Sequence, residues 1–470
     1  MAQPDTTLVE PDILGRVLSA ALRRGGDFAE VFVEDRSASS VTLDDRRVEE
    51  LSSGRERGAG IRVVAGETTG FAHTSDLSER GLLAAAAAAA AVAREGSGRV
   101  REAALTYRGH RPSDVSVLPG DVAKARKVEL LWQADDTARA AGGAIVQVTA
   151  FYGDSRRRIQ VANSDGLLTG DDQVRTRLRV GCVAAGDAGM QTGHESLGRT
   201  IGFELFERFS VEQVAAEAAR RALAKLSARP APSGVVPVVI QRGAGGILFH
   251  EACGHGLEAD HILKDSSVYT GRVGELVGSP LVTLVDDGGY EEEWGRLAVD
   301  DEGRPSRRNV LIDKGVLTGY MWDELRARKA GRESSGNGRR ESYQHLPMVR
   351  MTNTFLTAGD DDPEDIVSST PYGVFVAQLG GGQVNTATGD FLFGMTEAYL
   401  LENGHITEPL RDANLVGNGP DVLSRIDAVG NDFGMSGPGT CGKDGQGVPV
   451  GCGCPTLRVT GVTVGGTAGA

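Results

Sequence analysis

Hydrophobic positions in the first part of the chain change from helical spacing to alternation and back again. Residues 11–24, PDILGRVLSAALRR, place apolar side chains at helical intervals, and two glycines follow them. The segments AEVFVED, SVTLDD and GAGIRVVAGETTGFAHT then alternate, which predicts hairpins of a small antiparallel sheet. An alanine-rich helical segment follows and ends near residue 100. Residues 1–111 are therefore predicted to form one α+β unit.

A similar order of patterns returns after residues 112–121, PSDVSVLPGD, which read as a connecting segment. A helical pattern, VAKARKVELLWQADDTARA, precedes a long alternating stretch with Asp-Gly and Gly-Asp turns, and the helical segment VEQVAAEAARRALAKL closes it. Residues 112–226 are thus predicted to form a second small α+β unit. Residues 227–234, SARPAPSG, are the predicted linker because proline and small polar residues dominate there.

The character of the chain changes beyond the linker. Apolar strand-like runs alternate there with glycine-rich loops, so we expect residues 235–470 to form a β-rich C-terminal domain. Within it, the buried strand pattern VVPVVI and the turn QRGAGG lead into a short apolar helix. The predicted fold class is therefore α+β, with two small N-terminal units and a β-rich domain that carries this helix.

Composition and charge exclude several function classes. The 470 residues include 50 Lys+Arg against 64 Asp+Glu, a net charge of −14, and no basic stripe interleaved with aromatic residues indicates direct nucleic-acid binding. Five cysteines in a chain of this length do not indicate a disulfide framework. The N-terminus lacks the pattern of a signal peptide, and the alanine-rich run is too short for a membrane span. We expect a cytoplasmic protein without a membrane partner.

The short apolar helix is the main candidate for chemistry. Residues 247–261, ILFHEACGHGLEADH, hold three of the chain's eight histidines, and Glu251 directly follows His250. A His-Glu pair on a helix suits zinc hydrolysis, because neutral imidazoles hold the ion while the carboxylate takes a proton from the attacking water. The pattern differs from H-E-x-x-H only in that the second histidine comes one residue later.

The spacing of the two histidines poses a geometric problem. His250 and His255 are five residues apart, which places them about 140° apart around an ideal α-helix, too far to bind one ion. Either a local π-turn brings them together, or the helix ends at Gly254 and His255 turns back. Gly254 and Gly256 would supply backbone freedom at this point. From these residues alone, a metal site and a buried structural histidine paired with Glu251 both remain open.

Several blocks of the sequence resemble the TldD/PmbA family of metallopeptidases, on the TldD side. HEACGHGLEAD resembles the H-E-x-x-x-H signature of that family. Four more blocks follow in family order: DDEGRPSRRNVLIDKGVLTGYM, RRESYQHLPMVRMTNTFLTAGD, GGGQVNTATGDFLFGMTEAYLLENG and GTCGKDGQGVPVGCGCPTLRV. The similarity is dense from about residue 235 to 465 and looser before it, as at RRIQVANSDG.

The resemblance implies a ligand set and a catalytic residue. His250, His255 and Cys441 would bind one Zn²⁺ per chain, with Fe²⁺ as the alternative ion, and Glu251 would be the catalytic acid and base. Two histidines and one thiolate leave a fourth position open for water, as a hydrolytic zinc requires. Cys441 lies so far along the chain that sequence spacing could not have nominated it.

Neighbouring polar residues are weaker ligand candidates. His261 follows His255 by six residues and is a rival third histidine. Glu258 and Asp260 are better interpreted as groups at the helix end, or as acceptors that orient an imidazole N–H. The family resemblance does not require His261.

Two further pairs of residues have more than one interpretation. Cys452 and Cys454 would point to the same face of a strand, either as spare ligands or, as we prefer, as small buried hydrophobic residues. Tyr343 and His345 have the chemistry to stabilise an oxyanion, and each also has an ordinary structural interpretation.

The resemblance implies a zinc-dependent peptidase that acts on unfolded or short peptides, in leader-peptide removal or in peptide degradation. It also implies a heterodimer with a TldE/PmbA-type subunit. The alternative is a non-catalytic scaffold or regulatory partner of the PmbA type, which is disfavoured because such a subunit should lack the ligand set found here. A regulator of a nucleic-acid enzyme, suggested by an older gyrase-modulator label of the family, fits poorly with the acidic charge.

Overall fold

A computed structural model describes residues 7–92, 104–110, 113–187 and 189–466. The predicted end of the alanine-rich segment near residue 100, and the first residue of the segment 112–121, lie outside them. The N-terminal elements are α1 (Pro11–Leu22), β1 (Phe28–Asp44), β2 (Arg47–Ala65), β3 (Thr68–Thr74), α2 (Glu79–Val92), β4 (Thr106–Tyr107), α3 (Lys124–Ala140), β5 (Ile145–Asn163), β6 (Leu167–Gly186), β7 (Gly189–Arg199), α4 (Leu205–Arg208) and α5 (Val211–Ala224).

One seven-stranded sheet joins the two N-terminal units. Its order is β3-β2-β1-β5-β6-β4, with β7 also paired to β6. The strands β1 and β5 pair antiparallel from Glu30 and Asn163 to Asp44 and Thr149. The segments AEVFVED and SVTLDD, predicted as separate strands, are both parts of β1. The serine-rich residues between them keep their cross-strand partners on both sides, so the strand is not interrupted.

Helices cover one face of this sheet, and the other face is turned towards the C-terminal domain. Val31 and Val41 both point to the helical face of β1, where they join two separate hydrophobic clusters. The helices α1 and α2 pack on the cluster that contains Val31, and α3 and α5 pack on the cluster that contains Val41. Phe32 points to the opposite face, where it packs with Val299 and Tyr343.

Buried ion pairs connect the sheet to the C-terminal domain. Arg340 donates to Glu30 at 2.5 Å, and Arg62 contacts Glu302 at 2.7 Å, with all four side chains at most 1% exposed. Leaving one such charge without its partner costs about 3–5 kcal/mol. These pairs therefore specify how the two parts of the chain pack together.

The C-terminal region is rich in strands, as predicted. Its elements are β8 (Arg229–Pro230), β9 (Gly234–Ile240), α6 (Gly246–Phe249), α7 (Ala259–Leu263), β10 (Leu284–Asp287), β11 (Arg308–Asp313), β12 (Val316–Leu317), α8 (Glu324–Lys329), β13 (Gly338–Arg339), β14 (Met348–Val349), β15 (Asn353–Leu356), α9 (Pro363–Ser368), β16 (Tyr372–Val384), β17 (Asp390–Glu402), β18 (His405–Arg411), β19 (Asn414–Asn418), α10 (Gly419–Ser424), β20 (Ile426–Val429), β21 (Gly434–Met435), β22 (Gly439–Lys443), β23 (Gln446–Cys454) and β24 (Leu457–Gly465).

Two sheets of this region position the histidine segment. The strands β16, β9, β24, β19 and β17 follow one another, and a pairing between β16 and β17 closes them into a ring around the main hydrophobic core. A second sheet has the order β12-β11-β10-β15-β23-β21, with β22 paired to β23. The segment that starts at Gly246 packs on β23, since a Cβ atom at Gly246 would lie 2.4 Å from the backbone nitrogen of Gly453.

The predicted linker is attached to the C-terminal domain along part of its length. Within residues 227–234, β8 pairs in parallel with β18, and Ala231 is fully buried. Pro230 fits there because β8 is an edge strand, where a missing N–H leaves no neighbour without a donor. Among the helices that the structure describes, none has the length and apolar character needed to cross a bilayer.

Candidate metal centre

A π-helical turn carries the two histidines of the H-E-x-x-x-H pattern. The helix α6 ends at Phe249, and His250–Gly254 form the π-turn, in which the backbone N–H of His255 donates to the carbonyl of His250. This i to i+5 hydrogen bond places residues five apart on the same side of the helix. The ring centroids of His250 and His255 are 5.2 Å apart. The structure therefore selects the π-turn from the two geometries that the sequence left open.

The glycines beside His255 are needed for space rather than for unusual dihedral angles. Gly254 has φ −57° and ψ −50°, which any residue can adopt. A Cβ atom at Gly254, however, would lie 2.1 Å from the sulfur of the buried Met351, and one at Gly256 would lie 2.9 Å from Tyr269. The glycines are thus explained by close packing of the turn against Met351 and Tyr269, and not by the backbone freedom that the sequence analysis predicted.

Substituting Gly254 by alanine should disturb the π-turn. We expect a loss of stability of about 1–3 kcal/mol, typical of an overpacked core, together with weaker metal binding, because the clash lies next to His255. Thermal unfolding and competition with a chromogenic zinc chelator measure the two effects. Gly442→Ala is the matched control, since nothing lies within 4 Å of a Cβ atom at that position. Equal zinc affinity in both variants would contradict this role of Gly254.

The distant Cys441 meets both histidines. Its sulfur lies 3.4 Å from Nε2 of His255, and one ligand atom each from His250, His255 and Cys441 lie within 4.8 Å of one another. All three side chains are buried. Cys441 reaches this point from the hairpin of β22 and β23, where it pairs with Val448. Tertiary packing thus brings together the three residues that the family resemblance nominated.

A chain of polar contacts holds the second histidine in one orientation. Nδ1 of His255 lies 2.9 Å from Oε2 of Glu258, so Nε2 is the nitrogen that faces Cys441. The ammonium of Lys443 donates to Glu258 and to Asp260, both at 2.8 Å. A carboxylate on the far nitrogen of a ligating histidine fixes its tautomer and strengthens the ligand. The interpretation of Glu258 as an orienting acceptor agrees with this geometry.

The electrostatics of this cluster favour a thiolate. Burial would raise the pKa of Cys441, but the imidazoles of His250 and His255 lower it to about 4. Burial would lower the pKa of His255, whereas Glu258 and Cys441 raise it to about 9. Burial would also raise the pKa of Glu258, but His255 and Lys443 lower it to about 2. The thiolate is the form of cysteine that binds metals.

Glu251 lies beside this group and remains accessible. Its Oε2 is 3.7 Å from Nε2 of His255, the nitrogen that faces Cys441, and 23% of its side chain is exposed. The carboxylate is therefore positioned to exchange a proton with a molecule held at the cluster.

The three residues fit a divalent metal ion. Both ring nitrogens of His250 are buried without a hydrogen-bond partner among the described residues, which is costly unless another group binds there. Burial would lower the pKa of His250, but the sulfurs of Cys452 and Cys441 raise it well above its usual value. Two imidazoles and one thiolate are a donor set typical of zinc. A bound cation would satisfy one of these two nitrogens together with the thiolate.

The rival ligands occupy other positions. Glu258, Asp260 and His261 form a second close group, but Lys443 already contributes a positive charge to its two carboxylates. Nε2 of His261 is 4.0 Å from Glu258, and His261 is not one of the three residues grouped around Cys441. This second group thus supports His255 through Glu258, and Lys443 already supplies it with a cation.

The remaining cysteines and the oxyanion candidates lie outside the group formed by His250, His255 and Cys441. All five cysteines are free and buried, and burial raises the pKa of Cys454 to about 12, so it remains a thiol. Cys452 lies in the same strand, β23, and is 6% exposed. Tyr343 belongs to the hydrophobic cluster under the N-terminal sheet, and His345 contacts the hydroxyl of Ser342 at 2.9 Å.

Sequence reasoning missed two residues that support the centre. Lys443 donates a hydrogen bond to Glu258. The fully buried Arg350 donates to the carbonyls of Cys441 and Gln446 and so fixes the position of the hairpin of β22 and β23. Lys443 lies two residues from Cys441, so the family block GTCGKDGQ could have nominated it. A lone arginine such as Arg350 has no signal of this kind in the sequence.

Three family models together match most of the chain. They are the PmbA/TldA metallopeptidase domain 1 over residues 29–93, the central domain over residues 118–226, and the C-terminal domain over residues 233–466. The candidate centre lies within the last of these ranges.

Relatives match over nearly the full length. A "Metalloprotease TldD homolog" of Haemophilus influenzae is 38% identical over 99% of each chain, and a "Metalloprotease" of Methanothermobacter thermautotrophicus is 35% identical over 98% of this chain and 100% of the relative.

Two solved structures share the fold. A putative modulator of a DNA gyrase from Thermotoga maritima has a TM-score of 0.81 at 22% identity, covering 97% of this chain and 99% of the other. TldE from Thermococcus kodakarensis has a TM-score of 0.78 at 20% identity, covering 96% and 99%.

Proposed function

Because the chain belongs to the PmbA/TldD metallopeptidase family, we propose that it is a zinc-dependent peptidase of the H-E-x-x-x-H type. One observation carries the proposal: the π-turn turns His250 and His255 to one side, where the sulfur of Cys441 meets them. The relatives named as metalloproteases support hydrolysis of peptide bonds.

In this proposal the zinc ion is held by His250, His255 and Cys441. Polar groups that contact these ligands keep the ligands in position. When bound, zinc polarises a scissile carbonyl and makes water more acidic. Glu258, itself held by Lys443, keeps Nδ1 of His255 protonated so that Nε2 is free to bind. Iron in place of zinc would use the same three residues.

Glu251 is the proposed catalytic residue. Its carboxylate accepts the proton of the attacking water and then donates it to the nitrogen of the leaving amine. The location of its Oε2, 3.7 Å from Nε2 of His255, and the partial exposure of its side chain support this role. Proton transfer by a positioned carboxylate of this kind contributes about 10²–10⁴-fold to the rate.

The proposed substrates are unfolded or short peptides, and the proposed roles are leader-peptide removal or peptide degradation. The proposed partner is a TldE/PmbA-type subunit, and the likeness to the fold of a solved TldE is compatible with two related chains that associate. A cytoplasmic location without direct nucleic-acid contact is part of the same proposal. The net charge of −14 supports the second point, since a polyanion would be repelled.

Elemental analysis combined with a hydrolysis assay tests the proposed function. We expect close to one zinc per chain in freshly purified protein, and cleavage of an unstructured peptide that increases when the TldE/PmbA-type subunit is added. A chelator should abolish the cleavage, and added zinc should restore it. Freshly prepared complex that contains no metal and cleaves no peptide would overturn the proposal in favour of a non-catalytic scaffold.

A further inference from the structure

A groove separates the N-terminal sheet from the hairpin that carries Cys441. Its floor is the sheet face opposite the helices, and its roof includes Thr440 and Pro449 of the hairpin. Two cavities of about 270 and 910 Å³ form it, and both are lined by Phe151, Arg177 and Thr440. The larger cavity falls within the range of small-ligand sites, about 300–1,000 Å³.

The charged side chains on the floor of this groove are mainly basic. Arg36 comes from β1, whereas Arg175, Arg177 and Arg179 alternate along β6 and therefore share one face. His194 of β7 extends the same surface. We call this region the arginine groove. It is unusual in a protein whose net charge is −14.

Among the described residues, no arginine of the groove forms an ion pair with a carboxylate, although Asp171 and Asp301 lie near enough to Arg175 to raise its pKa. Arg177 stacks on Phe151, 4.8 Å from the ring centre, and within the described part of the chain it pairs with no acidic side chain. Arg175 donates to the neutral acceptors of Trp294, Gln173 and Arg296. Asp154, the acidic residue that lines the smaller cavity, is already paired with Lys127 at 2.7 Å.

The directions of the pKa shifts agree with an excess of positive charge. The pKa of Arg177 is lowered by burial and then by repulsion from Arg179. Burial, followed by Arg179 and Arg221, also lowers the pKa of His194. Burial, with repulsion from Arg339 and Arg157, lowers the pKa of Arg175 to about 9. Each of these groups would be stabilised in its charged form by an incoming anion.

The groove and the candidate metal centre lie on the two faces of one hairpin. Thr440 pairs with Pro449 and faces the groove, whereas Cys441 pairs with Val448 and faces the histidines. Successive residues of a strand point to opposite faces, about 3.3–3.4 Å apart along the strand. An extended peptide that passes the edge of β22 therefore needs only a few residues to reach both.

We propose that the arginine groove binds carboxylate side chains of the peptide substrate, so that peptides with acidic residues near the scissile bond are preferred. This inference rests on the proposed peptidase function. A peptide fits better than a nucleic acid, because Phe151 already stacks on Arg177, Trp294 is buried, and the rest of the protein repels a polyanion. The arginines would then select peptide substrates by their charge rather than by their sequence.

Direct binding tests the groove without requiring hydrolysis. The full-length, zinc-loaded Glu251→Gln protein, with its partner subunit, is titrated into a fluorescent unstructured peptide of Gly, Ser and Glu, and into the same peptide with Gln for Glu. We expect the acidic peptide to bind at least about 10-fold more tightly at low salt, with the preference shrinking as salt screens the charges. Equal affinities at low salt would overturn the proposal.

Arginine substitutions locate the preference. Arg177→Gln/Arg179→Gln should remove most of the difference in affinity between the two peptides. If this double variant does not fold, Arg36→Gln, at an exposed position, is measured instead and should reduce that difference. Arg47→Gln/Arg308→Gln changes two exposed arginines outside the groove and should leave the preference intact. An unchanged preference in a folded groove variant would overturn the proposal, as would displacement of the acidic peptide by a much lower concentration of single-stranded DNA.

Cleavage by the wild-type protein separates this inference from the proposed function. If both peptides are cleaved with equal kcat/KM, the groove has no such role although the peptidase function stands. If neither peptide is cleaved but the binding preference is present and is lost in the groove variant, the groove stands and the peptidase function fails.

Discussion

Replacing Glu251 by glutamine should abolish most peptide hydrolysis while the metal stays bound. Glutamine keeps the size of the side chain but cannot accept the proton of the attacking water, so we expect a loss of about 10²–10⁴-fold in kcat. Glu251 is not part of the group formed by His250, His255 and Cys441, so the zinc content should not change. Steady-state hydrolysis of an unstructured peptide and elemental analysis of the same preparation measure both quantities.

Glu275→Gln is the matched control for this experiment. Glu275 lies exposed in the same domain, where its carboxylate contacts Arg272. The control should keep both activity and zinc. If Glu251→Gln lost its zinc, the carboxylate would be a ligand rather than a base, and if it remained active, the general base would be another residue.

The second large effect is expected when Cys441 is replaced by alanine. The thiolate of Cys441 is the proposed third ligand, and its removal leaves two imidazoles that cannot complete a hydrolytic zinc site. We expect zinc affinity to fall by more than the 10–100-fold that follows loss of a group behind the ligands, and hydrolysis to fall to background. Chelator competition gives the affinity, and the peptide assay gives the activity.

The neighbouring cysteines provide the controls for the third ligand. Cys454→Ala removes a thiol whose pKa is raised to about 12 by burial, so it should keep the metal. Cys452→Ala tests the spare-ligand interpretation, since this sulfur lies near enough to His250 to influence its pKa. Loss of zinc in Cys452→Ala with retention in Cys441→Ala would assign the third ligand to Cys452.

The hydrophobic pattern predicted much of the fold. The helices at α1, α3 and α5 and the alternating strands between them appear where the pattern places them, because side-chain periodicity reports which face of an element is buried. The pattern did not reveal that β1 and β5 join the two N-terminal units in one sheet. Which strand edges meet depends on contacts between distant segments, and the two units have no sequence feature that marks this pairing.

The candidate centre likewise could be predicted from the sequence only in part. The His-Glu pair and the later histidine could be read directly, and the family resemblance nominated Cys441. The roles of these residues stay predictions until the substitutions are made. The support from Lys443 and Arg350 and the arginine groove emerged only from the structure, since each depends on the positions of separate elements.

The sequence by itself determined that two imidazoles and a carboxylate lie within six residues on an apolar helical segment, in an acidic α+β protein. Only the tertiary structure decided that the helix turns with a π-type hydrogen bond and that a thiolate closes the group. The physical reason is packing. Met351 lies where a side chain on Gly254 would be, and the pairing of β22 with β23 turns Cys441 towards His255, and neither contact has a local signature in the chain.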